Sequence, residues 1–547
     1  MKTLHNRQVG GGMKKLKSLP IIVLCIFGLL GLAGCNHSVT NPEPNSEPQP
    51  EPAPETEEVV FPLIKIRTTE TDSNDFVLTP ISENVKLQQQ SWDDHSNDGV
   101  PDPWYEKCEI KDGDDNLIGS GKVKVRGNWT TTYPKKSLRI KFDDKQSMLG
   151  LNNNKKFKNW VLLALYKDAS FLRDAVAFEM YHKMFSGYAS DSKLVELEVN
   201  GTYMGVYLLA EQQEAKRLGL TEPEKNATNT DIGYLLEFDS YYSFEAANEQ
   251  FEINYIGDIE DYNRTVMQDV NSGYTIKSDV TNVAQHDFIA NYMNKLWEIC
   301  YRAVYEDKYY KFNSSFDDIE LWTDIPGANE NEKCRNCVQA VIDLGSLADT
   351  YVFNELVCDP DLYYSSFFMS LDFAEGKNRK LTFSAPWDFD STMGNKSFCI
   401  ADTSHEDSSS KPYVSNINEM HAGRGQANVN CGDGFVHGNP WMMIFVNQAW
   451  FQDMVKASWA GVKAKNVLPE LVQFIDARST DALQVAYNAT RDNELWRDAE
   501  EGWKWELCTA SKNAEAVSQK ASADYLKEWL TARFTAVDSI INNMTTH

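Results

Sequence analysis

The chain has 547 residues, with 53 Lys and Arg against 80 Asp and Glu and a formal net charge of −27. That balance excludes a nucleic-acid partner, because binding a phosphate backbone needs a basic surface. Hydrophobic residues at 42% and aromatic residues at 12% are enough for substantial cores, so most of the chain should fold.

Residues 1–35 read as an export signal. Lys14, Lys15 and Lys17 form a basic start. Ile21–Leu32 is an apolar run of about a dozen residues, short for a membrane span. It ends in Leu32-Ala33-Gly34-Cys35, where small residues before a cysteine resemble a bacterial lipobox. The resemblance implies cleavage before Cys35, lipidation at that residue, and an exported protein anchored to a bacterial membrane, facing the periplasm or the cell exterior. Residues 36–59 are Pro- and Glu-rich and have almost nothing to bury, so an extended, disordered tether is expected.

The next part reads as strands with one helix. Val60–Thr68 is strand-like. In Asp93–Asp102, Asp94, Ser96, Asp98 and Gly99 match positions 1, 3, 5 and 6 of a calcium loop, but Tyr105 replaces the bidentate Glu at position 12, and a polar surface loop competes with that reading. Val123 and Val125 alternate with Lys122, Lys124 and Arg126, and Gly127-Asn128 forms a turn toward a second strand, Lys136–Phe142. Leu138, Ile140 and Phe142 share a face, and Lys136 shares their parity. An inward lysine beside backbone amides suits a phosphate grip; a lysine snorkelling at a sheet edge is the other reading.

Asn159–Tyr166 is a buried run, and Asp168-Ala169-Ser170 caps a helix to about Met184. Leu172, Ala175, Val176 and Glu179 fall on one face, so Glu179 needs a cation, for which Lys136 and Arg173 are the candidates. Leu194–Gln212 is a hairpin around Asn200-Gly201, and Gly233–Asp239 is another strand.

The rest reads as mostly helical, with helices predicted over Gln285–Phe312, Val338–Val357, Trp441–Trp459, Val467–Asn488 and Asn513–Met544. Between them, Cys358-Asp359-Pro360-Asp361 precedes two strand-like runs, Ser366–Leu371 and Lys380–Ser384, and Trp387-Asp388-Phe389-Asp390 follows. Two carboxylate clusters joined by a hairpin can converge at one end of it, which suits a divalent cation with oxygen ligands and a base beside it. Two solvated acidic turns are the competing reading. Residues 396–439 form a long irregular stretch holding His405, His421, Arg424 and His437 at no metal-binding spacing, so surface histidines are expected. Of ten cysteines, Cys334 and Cys337 form a lone CxxC, read as a local disulfide or free thiols rather than zinc ligands.

An ordered set of motifs resembles the CotH (spore-coat protein H) kinase family. These are Arg126-Gly127-Asn128, Tyr133-Pro134-Lys135-Lys136, Asn159-Trp160-Val161-Leu162-Leu163, Leu172-Arg173-Asp174 with Phe178-Glu179, and Asn200-Gly201 with Met204-Gly205-Val206-Tyr207-Leu208. Asn354-Glu355-Leu356 and Pro386-Trp387-Asp388-Phe389-Asp390 complete the series. The resemblance implies an α+β, atypical protein-kinase-like two-lobe fold, with a β-rich N-lobe at 60–212 and a mainly helical C-lobe at 213–547.

It further implies a surface-anchored kinase moving the γ-phosphate of ATP to Ser or Thr hydroxyls of a protein, a Ser-rich one being the simplest acceptor, with Mg²⁺ or Mn²⁺. Lys136 would hold the phosphates, Glu179 would orient it, and Arg126 and Asn128 would assist. Glu211 and Gln212 would lie beside the adenine, Asp361 would act at the substrate hydroxyl, and Asp388 and Asp390 would bind metal. Cys358-Asp359 stands where the family often has Gly-Asn, so Asp359 competes with Asp361, and Ser391–Asn395 departs from the family's usual sequence. A catalytically silent kinase-like scaffold, adhesive or glycan-binding, is the alternative.

Overall fold

In the first strands, one apolar side chain in two points toward a common interior, and this closes the sheet. The computed structural model describes residues 61–70, 74–78, 105–127, 129–224, 227–268, 270, 272–396, 417–427, 436–497 and 507–546. The signal and tether, Cys35, Asn128 and the candidate calcium loop 93–102 lie outside the described residues.

Strands β1 (Leu63–Thr68), β2 (Glu106–Asp112), β3 (Leu117–Arg126), β4 (Ser137–Gln146) and β5 (Phe157–Leu163) come first. Helix α1 (Arg173–Met184) follows, then β6 (Ser192–Val199) and β7 (Thr202–Glu211). The seven strands form a closed barrel in the order β1-β2-β3-β4-β5-β7-β6. Only the closing pair, β1 with β6, is parallel among these described strands. Ile64, Ile66, Ile110, Val123, Leu138, Ile140, Phe142, Trp160, Leu162, Val195 and Leu197 fill the interior. Closure removes exposed edges. The expected β6–β7 hairpin is present, with Asn200 at φ 47° and Gly201 at φ 82°, the two left-handed residues a primed turn requires.

A second sheet has the order β14-β13-β8-β10-β9. Its strands are β8 (Gly233–Asp239), β9 (Gln250–Phe251), β10 (Gly273–Ile276), β13 (Phe367–Asp372) and β14 (Thr382–Phe383), while β11 (Tyr310–Phe312) and β12 (Ile319–Leu321) form a separate ribbon. Around them lie α2 (Val283–Tyr305), α3 (Glu330–Val341), α4 (Leu344–Val357), α5 (Ala449–Ala464), α6 (Val467–Arg478), α7 (Asp481–Arg491), α8 (Thr509–Glu515) and α9 (Gln519–Asn542).

Four predicted helices are each split, Trp441–Trp459 among them, into Pro440–Met443 and Ala449–Ala464. Asp343 caps α4, accepting from Ser346 N–H at 3.1 Å, while Ile342 bridges to Leu381, so Val338–Val357 is two helices. Thr480 likewise caps α7, and Ser518 caps α9. Hydroxyl and carboxylate caps, inconspicuous inside an apolar run, end one helix and start the next.

The outer face of the barrel has two fates. Along β5 and β7, Val161, Leu163, Val206, Leu208 and Ala210 join α1 and the helical part in one apolar core. Along β3 and β4 the outer face is polar. The halves expected to meet at residue 212 therefore pack as one unit, residues 58–547. None of the described helices is long and apolar enough to cross a membrane.

Candidate functional site

The polar outer face of β3 and β4 forms one wall of a cleft of about 1270 Å³. Register sets its lining. Arg126 pairs with Ser137, Lys124 with Arg139 and Lys122 with Lys141. The outward positions Lys124, Arg126, Ser137, Arg139 and Lys141 all line the cleft. Burial pulls the Lys141 ammonium down from its ordinary value, with Arg139 and Lys122 adding repulsion. The Nε of Arg139 is buried with no hydrogen-bond partner among the described residues.

The opposite wall is acidic and is built by turns. Helix α4 ends at Cys358 in the left-handed region, and Asp359 turns the chain by accepting the Asp361 N–H at 2.9 Å. This leaves Asp359 buried and Asp361 facing the cleft. After β14, Ala385 (φ 60°) and Asp388 (φ 70°) turn the chain again, so that Asp388 and Asp390 line the same cleft. The two carboxylate clusters do converge at one end of the β13–β14 hairpin. Glu237 and Asp239 on β8 extend this wall.

The turn carrying Asp388 and Asp390 is clamped from several sides. Asp174 on α1 accepts the Phe389 N–H at 2.8 Å, and Gln213 donates to the carbonyls of Ala385 and Pro386 at 3.2 and 3.1 Å. Asn395 donates to the carbonyls of Asp390 and Lys167 at 2.7 and 3.1 Å. Phe178 stacks on Trp387 with centroids 5.7 Å apart, and the Arg126 guanidinium lies 5.5 Å from the Trp387 ring centre.

A buried ion pair supports the other cluster from behind. Glu355 on α4 meets Arg533 on α9 at 2.7 Å, both side chains fully buried, and also accepts the N–H groups of His421 and Ala422. His421, buried and pushed down to about 3 by burial and then by Arg533, is neutral and donates from Nε2 to the Asp359 carbonyl at 2.8 Å. Reading His421 and His437 as surface residues is therefore corrected, since both are buried, while His405 lies outside the described residues.

Crowding dominates the electrostatics. Burial, then the neighbouring Asp361, raises Asp388; burial pushes Asp390 up to about 7 against the pull of Lys167, whose Nζ is 3.3 Å away. Asp174 is held well above the carboxylate range by burial and by Asp390 and Asp388. Such a cluster has a deficit of positive charge. Among the described residues no three His, Cys, Asp or Glu side chains make a complete cation cage. Asp388 and Asp390 both line the cleft, and a pair of carboxylates is what a Mg²⁺-type ion completed by phosphate oxygens and water would need.

The structure thus brings Arg126, Gln212, Asp361, Asp388 and Asp390 to one cleft. It does not bring Lys136 and Glu179 there. Lys136 precedes β4 and is buried, but it does not line the cleft, whose β4 residues have the opposite parity to Leu138 and Ile140. Its ammonium donates to the Tyr133 carbonyl at 3.1 Å. Glu179 is half-buried on the far side of α1 and pairs with Lys183 at 3.2 Å, while Arg173, the other candidate partner, pairs with Asp168. The Glu211 carboxylate is held by Arg217, by Asn152 at 2.8 Å and by the Asp191 N–H at 3.0 Å, and it does not line the cleft.

Arg139, Lys141, Lys167, Asp174 and Lys396 are among the cleft residues that strand and helix patterns do not single out. The signal for Arg139 and Lys141 was present, as the opposite parity of the same strand. The described cysteines are buried and unbridged, Cys334 and Cys337 included, as free thiols.

A model of the CotH kinase protein family matches residues 123–537, most of the chain and every described wall of the cleft. No curated protein matches it.

Proposed function

The chain belongs to the CotH kinase family, and from that premise we propose that it is an exported, lipid-anchored protein kinase that transfers the γ-phosphate of ATP to protein hydroxyls. One observation carries the reading: a cationic barrel wall faces a carboxylate wall across a single cleft. Phosphoryl transfer needs that separation, with fixed positive charge along the polyphosphate and carboxylates where the hydroxyl and the cation sit.

In this reading the barrel and the second sheet with its helices act as the two lobes of a kinase-like fold. Arg126, Arg139, Lys124 and Lys141 hold the phosphates, in place of Lys136. Gln212 and Gln213, where the chain leaves the barrel, line the nucleoside end. Asp388 and Asp390 would hold Mg²⁺ or Mn²⁺, which when bound supplies charge neutralisation at the phosphates. Asp361, exposed to the cleft where Asp359 is not, orients the acceptor hydroxyl and receives its proton. Lipidation at Cys35 and the 36–59 tether would hold this domain off a membrane surface, within reach of surface proteins as acceptors.

The test is direct. The purified protein, given labelled ATP and Mg²⁺ or Mn²⁺, is expected to label itself or a Ser-rich acceptor. Asp361→Asn should slow transfer about 10²–10⁴-fold while nucleotide affinity stays near that of the parent. A parent that neither binds ATP nor labels any acceptor would sink the reading, leaving a silent scaffold.

A further inference from the structure

We propose that Asn159 selects the nucleotide, its side-chain oxygen and that of Gln212 together accepting the two hydrogens of the exocyclic amine of adenine. The inference rests on the phosphotransferase reading of the cleft and deepens it, by naming the group that separates ATP from nucleotides with an oxygen in place of that amine. It also gives a role to the first residue of the Asn159-Trp160-Val161-Leu162-Leu163 motif, which the reading above leaves unused.

Both side chains line the cleft, and Asn159 is only 9% exposed. Its Oδ1 and the Oε1 of Gln212 are buried, and neither oxygen has a hydrogen-bond partner among the described residues. Register brings the two together. Lys141 pairs with Asn159 and Trp160 pairs with Glu211, so one further step along the ladder sets Gln212 opposite Asn159. Directly opposed side chains start about 5 Å apart, close enough for two oxygens to reach one nitrogen.

The position suits a nucleobase. Arg126 pairs with Ser137, and its guanidinium lies 5.5 Å from the ring centre of Trp387, the neighbour of Asp388. From Ser137 to Lys141 along β4 the chain rises roughly 13 Å. Asn159, beside Lys141, therefore stands at the end of the cationic wall remote from Asp388, with room for the phosphates between. Leu163, Ile276 and Val280 line the same cleft and supply apolar surface for a flat ring.

The amide of Asn159 is held in one orientation. Its Nδ2 donates to the Glu214 carboxylate, and Glu214 is in turn paired with Arg217 at 3.3 Å. A carboxylate only accepts, so Asn159 gives it the nitrogen and shows the oxygen to the ligand. A buried acceptor left unpaired is costly, and the adenine amine carries a hydrogen for each of the two oxygens. A purine with an oxygen there presents a third acceptor, satisfies neither and adds repulsion. Discrimination is strong where the wrong ligand leaves the site's own polar groups unpaired.

The experiment measures binding of ATP and of inosine triphosphate, which carries the oxygen in place of the amine, by displacement of a fluorescent ATP analogue from the full chain. The parent should bind ATP about 30- to 300-fold more tightly. Asn159→Leu should bring that ratio within about fivefold. Glu214→Gln should lower it at least about tenfold, because a glutamine there can donate to Asn159 and let its amide turn. The second variant decides the matter if Asn159→Leu fails to fold. A parent that binds both nucleotides equally overturns this assignment and leaves the kinase reading intact. A ratio unchanged in the folded variants also overturns it, since another group then reads the amine. A parent that binds neither nucleotide overturns the broader reading, and this assignment with it.

Discussion

The two walls of the cleft are made in different ways. The cationic wall is regular sheet: β3 and β4 pair in continuous register from Gly121↔Phe142 to Arg126↔Ser137, and none of their residues has a left-handed backbone. The acidic wall is a series of sharp turns with Cys358, Ser366, Ala385, Asp388 and Met393 all at positive φ. Left-handed non-glycine residues cost roughly 1–2 kcal/mol each and persist only where surrounding contacts over-determine them. One wall thus follows from strand periodicity, and the other is held in place by what packs behind it.

The sharpest way to break that contrast is to remove the support behind the acidic wall. Arg533 pairs with Glu355 and also donates to the carbonyls of Ile417 and Glu419. Arg533→Met leaves a buried carboxylate unpaired and should destabilise the protein by about 3–5 kcal/mol, read as a lower midpoint in urea unfolding. Adding Glu355→Gln should recover part of that loss, because the unpaired charge is then gone. If the barrel wall is independent of this support, protease sites in 417–427 should open in Arg533→Met before any in β3 or β4.

A second comparison separates the two faces of one strand. Arg139→Met should weaken ATP binding about 10- to 100-fold, the loss of one charged hydrogen-bonding group or roughly 1.4–2.7 kcal/mol. Lys136→Met, three residues away, buried and outside the cleft lining, should leave ATP affinity within about threefold. Titration of each variant with a fluorescent ATP analogue checks this. Equal losses in both would mean that the barrel opens to expose Lys136, against the geometry described.

What could be read from the sequence follows the same division. The β6–β7 hairpin, the strand over Gly233–Asp239 and the helix ending near Met184 were legible, because alternation, an Asn-Gly turn and an apolar stripe are local signals. The convergence of Asp361 with Asp388 and Asp390 was legible because a hairpin forces it. Barrel closure was not: it depends on β1 meeting β6 across more than a hundred residues, and it inverts which parity faces the cleft. That single fact exchanges Lys136 for Arg139. Asp174 was hidden for a related reason. It sits five residues before Glu179 on the same helix, nearly half a turn round, off the apolar stripe that carries Glu179. The clamp on Asp359 from His421 comes from an irregular stretch with no period at all.

The smallest effect tests the strain itself. Ala385 is fully buried at φ 60°, its N–H donating to the Tyr188 carbonyl at 3.0 Å. Ala210 on β7 is equally buried in regular strand. Changing alanine to glycine at Ala210 should cost about 1.5 kcal/mol, from a lost methyl group and a more flexible unfolded chain. The same losses apply at Ala385, but glycine also relieves about 1–2 kcal/mol of left-handed strain, so the net change should lie near zero. Chemical unfolding of the two variants side by side resolves that difference. Equal destabilisation would show that Ala385 carries no strain, and the acidic wall would then differ from the barrel wall in charge alone.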